Sequence, residues 1–198
     1  VQLRKDKDFR YGGSKYRLVE YETFTAMALV RPIEPSLAQI EAFILQAQEH
    51  HDDFFFGHFL TACYQLLPDR TITYSLETPA LRFLGIGLSG KHLIIDGTCG
   101  NRAGHSMVGR LTINGTVGRM PAPNMIGILE YLRITGEHPG DKMTGLHNGE
   151  WTNDPASILD IPPSERDRFL AACMNPDDLP YGEHARQVIE RYRSRRER

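Results

Sequence analysis

Neither sign of charge dominates this sequence: Lys and Arg total 23 against 25 Asp and Glu, a net charge of −2. Neutralising phosphates over a nucleic-acid footprint needs a large excess of positive charge, so the composition gives no reason to expect a DNA or RNA binder. Long apolar runs are also missing, and none approaches the roughly 20 residues of a membrane helix. The three cysteines, Cys63, Cys99 and Cys173, are odd in number and form no CxxC pair, which argues against a disulfide framework and a zinc site alike. Val1 to Arg10 is charged and carries no apolar signal segment, so a cytoplasmic protein is the expectation. What remains is ordinary: 40 % apolar and 24 % charged residues, with room for one domain or two small ones.

Four stretches differ in texture. Residues 1–16 are polar and basic, with Gly12 and Gly13, and read as a flexible leader. Residues 17–80 read as a small α+β unit. Arg17 to Val30 is rich in Val, Thr, Tyr and Phe, with Leu18, Glu20, Glu22 and Phe24 on one parity, which predicts strand. After Pro35, Ser36 is placed to cap a helix carrying Leu37, Ile40, Phe43, Ile44 and Ala47. A second helical stripe, Phe55, Phe59, Leu60, Cys63 and Leu67, stops at Pro68, and Thr71–Leu76 reads as strand. In residues 81–145 glycine becomes frequent and the helical period vanishes. Residues 146–198 turn helical, first from Pro162-Pro163-Ser164 through Phe169, Leu170 and Cys173. A last helix follows from Glu183 to near Arg196, with Val188, Ile189 and Tyr192 as its apolar face.

Self-similarity is the strongest signal. Leu93-Ile94-Ile95-Asp96-Gly97 is echoed by Leu111-Thr112-Ile113-Asn114-Gly115 and by Leu132-Arg133-Ile134-Thr135-Gly136. A second glycine follows each, at Gly100, Gly118 and Gly140, and a methionine closes each unit, at Met107, Met125 and Met143. Leu and Ile two apart point to one face of a strand, and the glycine after them permits a sharp turn at positive φ. Stacked units would place Leu93, Leu111 and Leu132 in one inward ladder and Ile95, Ile113 and Ile134 in another, with Gly97, Gly115 and Gly136 at the turns. Asp96, Asn114 and Thr135 would bond along the turn column. The fold class expected is therefore α+β, with a short Gly-rich β-helix of about three coils capped by the N-terminal unit and the C-terminal helices. A flat meander of the same strands is the alternative. Three coils alone bury too little, so helices must hide the open edges.

The run Gly97-Thr98-Cys99-Gly100-Asn101-Arg102-Ala103-Gly104-His105-Ser106-Met107, followed by Gly109-Arg110-Leu111-Thr112-Ile113-Asn114-Gly115, resembles the GXGXG β-helix domain. That domain occurs at the C-terminal end of the glutamate synthase large subunit and in one of the subunits of formylmethanofuran dehydrogenase. The likeness spans roughly residues 81–145 and departs at Met120-Pro121-Ala122-Pro123-Asn124. It implies a structural spacer or an assembly subunit, with no active-site residue to carry over.

Chemistry-bearing motifs are few. Gly104-His105-Ser106-Met107-Val108-Gly109 fails as a nucleophile elbow because Val108 stands where the second glycine belongs and a strand follows in place of a helix. His50, His51, Asp53 and His58 form the one His/Asp cluster, and Asp53 is better used as a helix cap. The methionines read as core filler rather than thioether ligands. Trp151, the sole tryptophan, is placed to plug the open end of the stack. Six arginines at and after Arg186 make the last helix the one candidate surface for an acidic partner or an RNA backbone. The reading is a non-catalytic structural or accessory subunit that docks on a protein partner or forms a homo-oligomer, with no cofactor, metal or membrane. One alternative is a small enzyme using His51, Asp53, His58 and His105 between the α+β unit and the β-helix. The other is a small-ligand binding module.

Overall fold

The structure, a computed structural model, describes residues 26–132, 138–153, 159, 161–175 and 183–193. The leader at 1–16, the strand expected over 17–25, the residues Ile134, Thr135 and Gly136, and the chain beyond Arg193 lie outside them. Residues 26–30 are helical, not strand. Ala26-Met27-Ala28-Leu29 are good helix formers. Met27 and Val30 are buried while Ala28 and Leu29 are exposed, a spacing of three where a strand needs two.

Helix α1, Leu37–Gln46, starts as anticipated at Ser36. The Ser36 hydroxyl accepts from the Gln39 backbone N–H at 3.3 Å, and the Gln39 side chain accepts from the Ser36 N–H at 2.8 Å, a closed capping box. Helix α2, Phe54–Leu66, is capped by Asp53, which accepts from the Phe55 N–H at 2.8 Å. Ile40 and Ile44 of α1 and Leu60, Cys63 and Tyr64 of α2 belong to the same apolar core as the strands that follow.

Those strands wind into a stack of about four turns, a β-solenoid. One sheet contains β1 (Thr71–Tyr74), β3 (Ser89–Ile95), β5 (Val108–Ile113), β7 (Ile126–Tyr131) and β8 (Thr144–His147), all parallel, and ends with antiparallel β9 (Glu150–Asn153). A smaller parallel sheet holds β2 (Glu77–Thr78), β4 (Thr98–Cys99) and β6 (Thr116–Val117). Register fixes the repeat. Ile72 lies beside Leu93, Leu93 beside Leu111, Leu111 beside Leu129 and Leu129 beside His147. The first step is therefore 21 residues and each later one 18.

That register corrects the third unit. The strand stacking on Val108–Ile113 is Ile126–Tyr131, so Leu129 continues the ladder of Leu93 and Leu111, and Tyr131 continues that of Ile95 and Ile113. Leu132, assigned to the ladder by sequence, is 81 % exposed, whereas Leu93, Leu111 and Leu129 are fully buried. The closing column is real: Leu88, Met107, Met125 and Met143 are all buried at 0 % exposure.

The reason for the turn glycines also changes. Gly97 and Gly115 do not adopt a positive φ. A Cβ on Gly115 would overlap the carbonyl oxygens of Gly97 and Asp96, so the column is glycine because one coil lies directly on the next. Gly100 and Gly118 share a column, the Gly118 N–H donating to the Gly100 carbonyl at 3.2 Å. Gly140 does not join them. It aligns with Gly104 and Ala122, through backbone bonds from Ala122 to Ala103 and from Gly140 to Pro121.

The third side of each coil is a run of alternating left-handed residues. These are Phe83, Gly85 and Gly87, then Arg102, Gly104 and Ser106, then Met120, Ala122 and Asn124, then His138, Gly140 and Lys142. Consecutive runs bond to each other, for example Phe83 N–H to Asn101 O at 3.0 Å and Gly87 N–H to His105 O at 2.8 Å. The segment 120–124, which departs from the glycine pattern, adopts the same conformation with Met, Ala and Asn. Backbone pairing with the coils on both sides holds these residues where an isolated chain would not go.

The C-terminal helices cover the outer side of the large sheet. A 3₁₀ turn, Pro163–Glu165, leads into α3 (Arg166–Met174), which crosses β3, β5 and β7, and α4 (Glu183–Arg193) packs on it. Val108 and Ile126 point outward into a second apolar core with Phe169, Cys173, Val188, Ile189 and Tyr192. Trp151 joins this outer core and does not plug the stack: its ring lies 5.9 Å from Phe169, with the Arg166 guanidinium 4.5 Å above it. Among the described residues no helix is long and apolar enough to cross a membrane.

Candidate functional site

The four residues assigned to a catalytic alternative separate into two pairs. His51 is buried, its Nε2 bonded to the Ile44 carbonyl at 2.8 Å and its ring stacked on Phe56 at 5.8 Å, so it ties α1 to α2. Asp53 is occupied by the α2 cap. His58 and His105 do come together, at the corner where α2 meets the left-handed runs of the first two coils. Phe54 lies edge-on to His58 at 4.6 Å and to Phe83 at 5.1 Å, and Phe83 lies 6.4 Å from His105. Burial, reinforced by the neighbouring His105, pulls the His58 imidazole down to about 4, so it is neutral at physiological pH. His105 Nδ1 is 3.1 Å from the hydroxyl of the buried Ser106. Asp53 is turned to its cap.

Other reactive groups are sealed. Cys63, Cys99 and Cys173 are buried free thiols, and burial pushes Cys63 and Cys99 up to about 12, so none is a ready nucleophile. Among the described residues no group of three His, Cys, Asp or Glu is placed to hold a metal ion. Asp96 and Asn114 do bond along the turn column, Asn114 Nδ2 donating to Asp96 Oδ1 at 2.8 Å.

A second polar cluster has no local motif to announce it. On the outer face of the large sheet, His92 (β3), Arg110 and Thr112 (β5) and Glu130 (β7) are half-buried neighbours on adjacent strands. His92 Nε2 is 2.9 Å from the Thr112 hydroxyl, which donates to Glu130 Oε2 at 3.3 Å. Arg110 donates to the same oxygen through Nη2 at 2.7 Å and Nε at 3.2 Å. Burial, then the Arg110 charge, lowers the His92 imidazole, and Glu130 opposes them. A parallel stack sets these side chains about 4.8 Å apart. The signal in sequence is the 18-residue spacing of Thr112 and Glu130, hidden because Leu132-Arg133-Ile134 imitates the third unit three residues late.

The surface of the helical cap is different in kind. Of the six large hydrophobic side chains exposed among the described residues, Leu29, Ile33, Phe43, Leu45 and Phe55 lie in residues 26–55, and Leu132 is the sixth. Comparison with protein-family models, with curated proteins and with solved structures finds no match.

Proposed function

We propose that the chain is a non-catalytic assembly protein, a structural or accessory subunit whose helical cap docks on a protein partner or on a second copy of itself. The observation that carries this reading is the concentration of exposed Leu29, Ile33, Phe43, Leu45 and Phe55 on the cap. Apolar side chains scattered singly need no explanation, and five of them within thirty residues support an interaction surface on this part of the chain. The alternating left-handed runs repeated through the coils support the finer resemblance to the GXGXG β-helix domain, whose place in larger enzymes resembles that of a spacer or assembly module.

Light scattering on the purified protein, together with Ile33→Glu and Phe55→Glu, tests the reading. Both side chains are more than half exposed, so the variants keep the far-ultraviolet spectrum of the parent. A particle heavier than the 22.5 kDa chain, or a stoichiometric co-purifying protein, lost in both variants, is the expected result. A parent that is monomeric and binds nothing removes the proposal.

A further inference from the structure

A groove runs between the two C-terminal helices. Phe169 of α3 and Tyr192 of α4 meet edge-to-face at 5.1 Å and fix the helices against each other. Between these helices a cleft of about 200 Å³ opens. Arg168 and Asn175 line it from one helix and the segment after it, and His184, Gln187 and Arg191 line it from the other. Small side chains, Ala171 and Ala172, complete one wall and leave the space open.

Among the described residues no carboxylate lines the cleft, although α3 and α4 both contain acidic residues. Arg168 and Arg191 make no ion pair among the described residues. Both nonetheless line the same cleft, and both charges oppose the upward shift that burial gives the neighbouring Tyr192. Arg70, from the turn before β1, donates to Asn175 Oδ1 at 3.2 Å and adds a third cation beside the cleft. His184 Nε2 donates to the Cys173 carbonyl at 3.1 Å, which fixes that ring at the buried end.

Two guanidiniums brought together from different helices repel each other, and an oxyanion between them relieves that repulsion while matching their fork geometry. We propose that this cleft binds the phosphate group of a small phosphorylated molecule, held by Arg168 and Arg191 with the Asn175 and Gln187 amides beside it. The site is independent of the apolar cap and of any docking there. A small occupant fits the cleft volume of about 200 Å³ flanked by Arg168 and Arg191, whereas backbone binding spreads its cationic contacts along a track.

Calorimetric titration at low ionic strength with inorganic phosphate, pyrophosphate and adenosine monophosphate tests the site. Arg168 and Arg191 are exposed, so Arg168→Gln and Arg191→Gln leave the packing intact. Arg119→Gln, an exposed arginine on the solenoid, controls for total charge. At least one probe binds with a Kd below ~10 mM, and either cleft variant weakens it by about tenfold or more while the control does not. Absence of binding by all three probes overturns the proposal, as does equal weakening by Arg119→Gln. Tighter binding of a single-stranded RNA that is unaffected by the two cleft variants also overturns it.

Discussion

At the scale of single residues, two leucines three positions apart have opposite environments. Leu129 is fully buried in the inward ladder and Leu132 is 81 % exposed. Truncating Leu129 to Ala removes apolar contacts and leaves a cavity, a loss of about 2–5 kcal/mol. Leu132→Ala stays within about 0.5 kcal/mol of the parent. Urea midpoints of the two variants check the register directly. His58 gives a pH signature. The unfolded chain takes up its proton near 6.5 and the folded chain only near about 4, so stability present at neutral pH falls as pH drops through that window. The loss is on the order of 3 kcal/mol, and His92 and His147, both also shifted downward, act in the same direction. Urea midpoints between pH 7 and pH 4 show the fall in the parent and a shallower slope in His58→Gln.

Elements are held by different means, and this decides what the sequence could reveal of them. The caps at Ser36 and Asp53 are local chemistry, and both were legible at their residues. The methionine column was legible because an 18-residue spacing survives in it. The strand expected over 17–30 failed at its end because β-rich composition upstream masked an i, i+3 burial pattern in Met27 and Val30. The third repeat failed because Tyr131 stands where Ile95 and Ile113 predict another Ile, and Leu132-Arg133-Ile134 mimics the pattern out of phase. The left-handed runs were invisible at 120–124 because pairing between coils, not glycine, imposes them. The His92–Arg110–Thr112–Glu130 cluster was not visible, since it is assembled from three separate strands, whereas His58 and His105 were named together from the sequence. Helix α3 holds the outer face through Phe169, fully buried over Val108 and Ile126. Phe169→Ala costs about 3–5 kcal/mol. Binding of a hydrophobic dye at neutral pH then rises as α3 lifts from β5 and β7.

For the whole molecule, the apolar interior is continuous from α1 through α2 to Met143, so cap and coils share one core. Cooperative unfolding of cap and coils together is the consequence, and each coil needs its neighbours. The uniform later step makes a stronger test available. Removing residues 108–125 places Ile126 where Val108 lay, with the ladder leucine, the close-approach glycine and the outward aliphatic side chain all preserved. The shortened chain folds with a strand signal in its circular dichroism spectrum and a single urea transition.

The constant lap length has a historical side. A gene encoding such a winding keeps every column in register when it grows or shrinks by 54 base pairs, three for each of the 18 residues in a rung, whereas a one-residue slip inside a strand turns its interior outward. The longer opening lap, 21 residues, marks where that arithmetic is interrupted by the join to the helices. Duplication of a rung is therefore the economical route by which this scaffold would change its reach without being redesigned.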